Sequence, residues 1–207
     1  MAKVLMINGS PRANGNTSMA LQEMKQVFDT AGMENEVIMV GNKSIRGCVA
    51  CNHCGKTGEG CIFDDEVNVI AEKFKEADAL VVASPVYYAS ANGTLISFLD
   101  RLFYSTSFSK TMKVGASVAV ARRGGLTATY DELNKYFAIS GMPIASGQYW
   151  NGVHGTEKGE AQQDAEGLQQ MRTLANNMVF LIRCIADGKE KYGLPERETP
   201  IFTNFVR

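Results

Sequence analysis

Residues 9–18, Gly-Ser-Pro-Arg-Ala-Asn-Gly-Asn-Thr-Ser, bring two glycines, three hydroxyls and one cation into a single turn. Glycines let backbone approach a ligand closely, hydroxyls and amides donate hydrogen bonds, and Arg12 adds positive charge, so the set suits a phosphate held at a helix N-terminus. The turn lacks the Gly-Lys-Ser/Thr ending of a Walker A loop, and Gly9 and Gly15 do not stand at the intervals of the dinucleotide fingerprint. The plainer alternative is an ordinary strand-to-helix turn with a good cap. A second turn, residues 84–93, sets Tyr87 beside Tyr88; their faces can pack a flat ring or simply cover the sheet edge. A third, Ala121-Arg122-Arg123-Gly124-Gly125, offers two cations and flexible backbone donors for negative charge developing on a reduced heterocycle, or else is a solvated basic turn.

Cys48, Cys51, Cys54 and Cys61 form a compact cluster close to bacterial iron-sulfur spacing. Zinc is a second reading, less favoured because structural zinc sites usually use two separated pairs. Free thiols or a redox-active pair are the third. His53 lies inside the motif as a loop residue, and His154 either approaches a heterocycle bound at these turns or merely caps a turn. With two histidines and no Ser-His-Asp set, the chain offers no hydrolase machinery.

The elements that must position these turns follow from hydrophobic pattern. Residues 3–7 are a buried strand closed by Asn-Gly-Ser-Pro, and a helix capped from Asn16, Thr17 or Ser18 runs to Gly32. Residues 36–40 are the second strand, and Asp64-Asp65 caps a helix over Val67, Ile70, Ala71 and Phe74. Residues 79–83 are the third strand, 94–103 a helix, 113–121 the fourth strand, then a helix through Leu133 and Phe137, a fifth strand over 143–146, and a closing helix over 161–186 that takes Cys184 into the core. Strand and helix alternate five times. Continuous apolar strands in that order predict an α/β fold, a doubly wound five-stranded parallel sheet with helices on both faces. In such sheets ligands sit beyond the carboxyl ends of the strands, where these three turns lie.

The 207 residues, 45% hydrophobic, fit one domain over 1–207 with an irregular tail at 192–207 that runs over the surface or across a partner subunit. A formal charge of -1 provides no field for nucleic acid or an anionic membrane. The start of the chain has no signal-peptide core, no segment reaches the length of a membrane span, and clustered cysteines point to a reducing, cytoplasmic compartment.

The opening Gly-Ser-Pro-Arg with Asn-Thr-Ser, the Ser84-Pro85-Val86-Tyr87 turn followed by Phe98-Leu99-Asp100-Arg101, and the Ala121 to Gly125 turn together resemble the flavodoxin-like NAD(P)H-dependent FMN reductases, and within them the iron-sulfur flavoproteins. The resemblance covers most of the chain. It implies a flavodoxin-like fold and a bound FMN whose phosphate is held by Ser10, Arg12, Asn16, Thr17 and Ser18. Pro85, Val86, Tyr87 and Tyr88 would lie along the isoalloxazine edge, and Arg122, Arg123, Gly124 and Gly125 on its pyrimidine side. It further implies NAD(P)H as hydride donor, an acceptor that is a quinone, free flavin or iron-sulfur centre, a [4Fe-4S] cluster on the four cysteines, and a homodimer or homotetramer. No side chain is expected to act as catalyst, because the flavin carries the chemistry. An alternative is an electron-transfer protein pairing flavin with [4Fe-4S] and using no small substrate. Phe103, Tyr104, Phe108 and the tail are the surfaces expected to meet a second copy.

Overall fold

A computed structural model describes residues 1–205. Five strands, β1 (Lys3–Asn8), β2 (Glu34–Met39), β3 (Ala79–Pro85), β4 (Val114–Ala121) and β5 (Gly152–His154), form one parallel sheet in the order β2-β1-β3-β4-β5. Between them run α1 (Asn16–Thr30), α2 (His53–Thr57), α3 (Glu66–Glu76), α4 (Gly93–Ser105) and α5 (Leu126–Ile139), and α6 (Ala165–Tyr192) closes the chain. The jump from β2 over β1 to β3 makes the carboxyl ends of β1 and β3 the topological switch point, the place where open α/β sheets bind ligands.

Alternation along the strands separates two cores. Val4 and Met6 of β1 with Ala79, Val81 and Ala83 of β3 face α1 and α6, where Leu21, Met24, Phe28, Leu174 and Met178 pack. Leu5, Ile7, Leu80 and Val82 face the other way, onto Phe74 of α3, Phe98 of α4, and Leu133 and Phe137 of α5. Each of these large side chains contributes roughly 1.5–3 kcal/mol by leaving water. β2 is one edge of the sheet, and none of its residues is buried. Gly41 lies just beyond it, where a Cβ would stand 2.1 Å from the carbonyl oxygen of Gly9, so the loops after β1 and β2 meet backbone to backbone.

The five strand-helix units and both helical layers are as the pattern predicts; several boundaries are not. β2 covers 34–39 rather than 36–40. The expected strand at 143–146 makes only a bridge, Ile144 to Gly115, and the fifth strand is Gly152–His154, paired with Ala119–Ala121. Its turn-like sequence hides it, since pairing with a buried neighbour supplies what propensity does not. The closing helix begins after a short 3-10 turn at Glu160–Gln163 and ends at Tyr192, which is therefore not part of the tail. Cys184 is exposed: the buried stripe of α6 passes through Val179 and Ile182 and leaves it facing solvent. The tail carries no helix or strand over 193–205, and its last two residues, 206–207, lie outside the described residues. No helix among the described residues is long and apolar enough to cross a membrane.

Candidate functional site

The turn after β1 is shaped from below by a buried asparagine. Asn8 Oδ1 accepts from the Ser10 amide at 2.9 Å, and its Nδ2 donates to Ser18 Oγ at 2.9 Å. Ser18 in turn donates to the Ala13 carbonyl, and Ser10 Oγ accepts the Arg12 amide at 3.2 Å. Asn16 reaches outward, donating to the Glu157 carbonyl at 3.0 Å and accepting the amides of Gly159 and Ala161 at 3.2 Å. Ser18 and Asn16 side chains therefore build the loop, while Arg12 stays exposed and pairs with no carboxylate among the described residues.

None of the three expected capping residues caps α1. Its N-cap is Gly15, in extended conformation, with no side-chain hydrogen bond and no acid in the first turn. A helix start leaves amide donors without intrahelical partners, and elsewhere this protein satisfies them with its own side chains: Asp65 for α3, Asn92 for α4 and Asp164 for α6. Among the longer helices only α1 and α5 begin on a glycine without such a cap. They follow β1 and β4, the strands on either side of β3, and both offer the positive end of a helix dipole to an anion.

The turn after β3 is a two-residue hairpin. The Tyr87 amide donates to the Ser90 carbonyl at 2.9 Å and Ser90 returns the bond at 3.0 Å, while Tyr88 and Ala89 between them hold φ of 51° and 60°. Both are left-handed, a type I′ turn without the glycine or asparagine it favours; each such residue costs of order 1–3 kcal/mol. Glu132 of α5 sustains it by accepting from Ser90 Oγ at 2.8 and 3.0 Å and from the Ala91 amide at 2.8 Å. Tyr88 is wholly exposed and covers nothing, while Tyr87 is nearly half exposed. The turn after β4 closes against this hairpin: Gly125 has φ +92°, and a Cβ there would stand 2.8 Å from Ala89 Cα and from Val86 Cγ1. Arg122 and Arg123 are exposed and meet no carboxylate among the described residues.

His154 is fixed by Asp164, which accepts its amide at 2.6 Å and lies 3.5 Å from its Nδ1. Beside it a cavity of about 440 Å³ opens between the starts of α5 and α6, lined by Tyr130, Tyr149, Trp150 and Asn151. Gln170 builds its wall, accepting the amides of Gln148 and Tyr149 at 2.9 and 3.0 Å and donating to Asn151 Oδ1 at 2.8 Å.

The cysteines lie on the other side, before α3. Cys48 and Cys51 are exposed, Cys54 and Cys61 partly buried, and all four line one small cavity with Phe63, Arg101 and Tyr104. His53 opens α2, and Ala50 and Asn52 hold left-handed backbone between the thiols. Asn68 of α3 fixes Cys61 by accepting its amide at 2.9 Å and donating to its carbonyl at 2.8 Å. No three His, Cys, Asp or Glu side chains among the described residues are gathered tightly enough to hold a single metal ion. Four soft thiol donors around one cavity nonetheless fit an iron-sulfur cluster in ligand type and in neighbourhood.

The family model for NADPH-dependent FMN reductase matches residues 2–157. The chain belongs to that family. Its FMN-reductase membership makes it an oxidoreductase of the FMN-dependent kind, and its relatives narrow the likeness. An iron-sulfur flavoprotein of Methanocaldococcus jannaschii is 31% identical over 191 residues, spanning 88% of this chain and 98% of the relative. The iron-sulfur flavoprotein of Methanosarcina thermophila is 28% identical over 193 residues, with 91% and 100% covered. Among solved structures, RosB with a bound riboflavin-5′-phosphate derivative has a TM-score of 0.71 at 16% identity over 100% of this chain and 94% of that one. A flavodoxin from the Archaea has 0.60 at 14% identity, with 87% and 99% covered. These likenesses show the flavodoxin-like fold.

Within this FMN-reductase frame, the structure brings the three turns together at one end of the sheet and keeps the cysteine loop on its own flank. Sequence reasoning missed Asn8, Glu132 and Gln170, each a polar residue inside an apolar strand or helix. A buried polar side chain must find partners, and that was the available signal.

Proposed function

We propose that this chain holds FMN across the turns after β1, β3 and β4, takes hydride from NAD(P)H and passes electrons to a quinone, a free flavin or an iron-sulfur centre. The observation that carries the reading is the pair of glycine-started, uncapped helices α1 and α5 at the carboxyl ends of β1 and β4, on either side of β3, whereas every other long helix spends a side chain on its own cap. The amides of α1, with Arg12 and the Ser10 and Thr17 hydroxyls, suit the phosphate; Asn16 and Ser18 act by shaping the loop. Pro85, Val86, Tyr87 and Tyr88 suit the ring edge. Amides at the start of α5 with Arg122, Arg123, Gly124 and Gly125 suit the pyrimidine side, where reduction places negative charge. The chemistry supplied by FMN when bound is hydride acceptance and onward electron release. The protein's own part is to orient the ring and steady that charge, with no side chain needed as acid, base or nucleophile. We place this activity in a cytoplasmic homodimer or homotetramer. Phe103 and Phe108 pack on Phe74, with ring centroids at 5.7 and 5.4 Å, so of the surfaces expected to meet a second copy Tyr104 and the tail remain.

The test is purification without oxygen, followed by flavin absorption and steady-state oxidation of NADH and NADPH. One FMN per chain with turnover of either donor supports the reading; a colourless protein that rejects added FMN defeats it. A second reading, an electron carrier joining FMN to a [4Fe-4S] cluster without a small substrate, is favoured by the four cysteines on one cavity. Iron and sulfide at four each per chain, with no nicotinamide oxidation, would select it.

A further inference from the structure

Arg101 is the largest fully buried side chain among the described residues, 1% exposed. Burying a cation costs heavily unless it is paired and fully hydrogen-bonded, and here the partners are specific. From α4, its Nη1 and Nη2 fork onto the Asp65 carboxylate at 2.6 and 2.8 Å. Nη1 also reaches the Arg46 carbonyl at 3.3 Å, and Nε donates to Cys61 Sγ at 3.2 Å. The Phe63 ring lies 5.0 Å from the guanidinium carbon and takes Arg46 at 4.6 Å as well. Arg46 precedes Cys48, whereas Cys61, Phe63 and Asp65 follow Cys54, and Asp65 is also the N-cap of α3. One guanidinium thus fastens the entry and the exit of the cysteine loop to α3 and α4.

We infer that Arg101 is the positioning residue of the cysteine motif: it holds Cys61 on the cavity shared with Cys48, Cys51 and Cys54, and thereby sets how tightly these thiols take an iron-sulfur cluster and at what potential that cluster is reduced. The inference rests on reading the cysteines as cluster ligands. Hydrogen bonds and charge beside a ligating sulfur tune cluster potential, and a cation there favours the reduced, more negative form. Lysine cannot substitute, since an ammonium has no planar fork to span a carboxylate and a sulfur together.

The experiment compares wild type, Arg101→Lys, Arg101→Met and the double variant Arg101→Met with Asp65→Asn. The double variant leaves no stranded carboxylate and keeps a residue able to cap α3, so it serves if the single variant fails to fold by circular dichroism. Each protein is reconstituted anaerobically with ferrous iron and sulfide, then assayed for iron and sulfide content under chelator challenge and for midpoint potential. Amide hydrogen exchange over residues 46–65 is measured separately on protein never given iron. The expected result is cluster affinity lowered about 10–100-fold in every variant, a more negative potential where the cation is lost, and faster exchange across residues 46–65. Wild-type loading, potential and exchange in folded variants would overturn the inference. If wild type itself takes no cluster, the cluster reading fails, and unchanged exchange in the variants would then refute the positioning role by itself.

Discussion

Arg12 is the residue whose role is most cleanly separable. Its side chain makes no contact that the loop needs, and Asn8, Ser10 and Ser18 shape the turn without it. Arg12→Ala should therefore leave the melting temperature near wild type while weakening FMN. A charge-assisted hydrogen bond is worth about 1.5–3 kcal/mol, which is roughly 10–100-fold in Kd. Titration of flavin-free protein with FMN and with riboflavin checks this: the loss should fall on FMN alone, and an equal loss for riboflavin would remove Arg12 from the phosphate. Asn8 sets the contrast. Asn8→Ala strands the buried Ser10 amide and takes from Ser18 the hydrogen bond that its hydroxyl accepts, a loss of about 1–3 kcal/mol in stability to be read by urea denaturation. Arg12 was legible in the sequence because a lone cation among hydroxyls and glycines has few other uses. Asn8 was not, because Met-Ile-Asn-Gly reads as a strand end.

Two helices decide the behaviour of the elements. If the open start of α1 exists to meet an anion, filling it from within should compete. Gly15→Asp supplies a capping carboxylate at a position whose backbone, φ -86° and ψ 179°, already suits an N-cap. The new Cβ would stand 3.1 Å from Arg12 Cβ and 3.3 Å from the Arg12 carbonyl oxygen, which offsets the few tenths of a kcal/mol that the cap contributes, so the flavin-free protein should melt close to wild type while FMN affinity falls. Unchanged FMN affinity would mean that the phosphate lies elsewhere. At α5 the constraint is steric. Gly125→Ala must relieve a 2.8 Å approach to Ala89 and to Val86 at a positive φ, forcing apart the turns after β3 and β4. Stability should drop by about 1–2 kcal/mol, the cost of a left-handed residue with a Cβ, and flavin retention should drop with it. Helix positions came readily from apolar spacing; the capping of α1 did not, because Asn16-Thr17-Ser18 is a good capping sequence whose side chains were drawn to residues 157–161 and to Asn8 instead.

For the whole molecule, the tail and the core separate assembly from folding. No residue from 194 to 205 belongs to either core, and Ile201, Phe202 and Phe205 stand exposed. Removing residues 195–207 should leave the fold and FMN content intact while shifting sedimentation toward monomer, and an unchanged oligomer would assign assembly to another surface. Phe137→Ala should instead lower global stability by about 3–5 kcal/mol, because Phe137 is fully buried against Gly115 of β4. The sequence by itself determined the first four strand-helix units and the closing helix, the parallel sheet, the composition of the first turn and the cysteine spacing, since each is written in local period or local composition. Tertiary structure alone decided the short β5, the exposure of Cys184, the Glu132 clamp on the hairpin, and the guanidinium of Arg101 shared between Asp65 and Cys61. The strand, the clamp and the guanidinium depend on partners 36 to 42 residues away or on a neighbouring strand, and a polar residue's partner is chosen by what the fold brings within hydrogen-bonding reach.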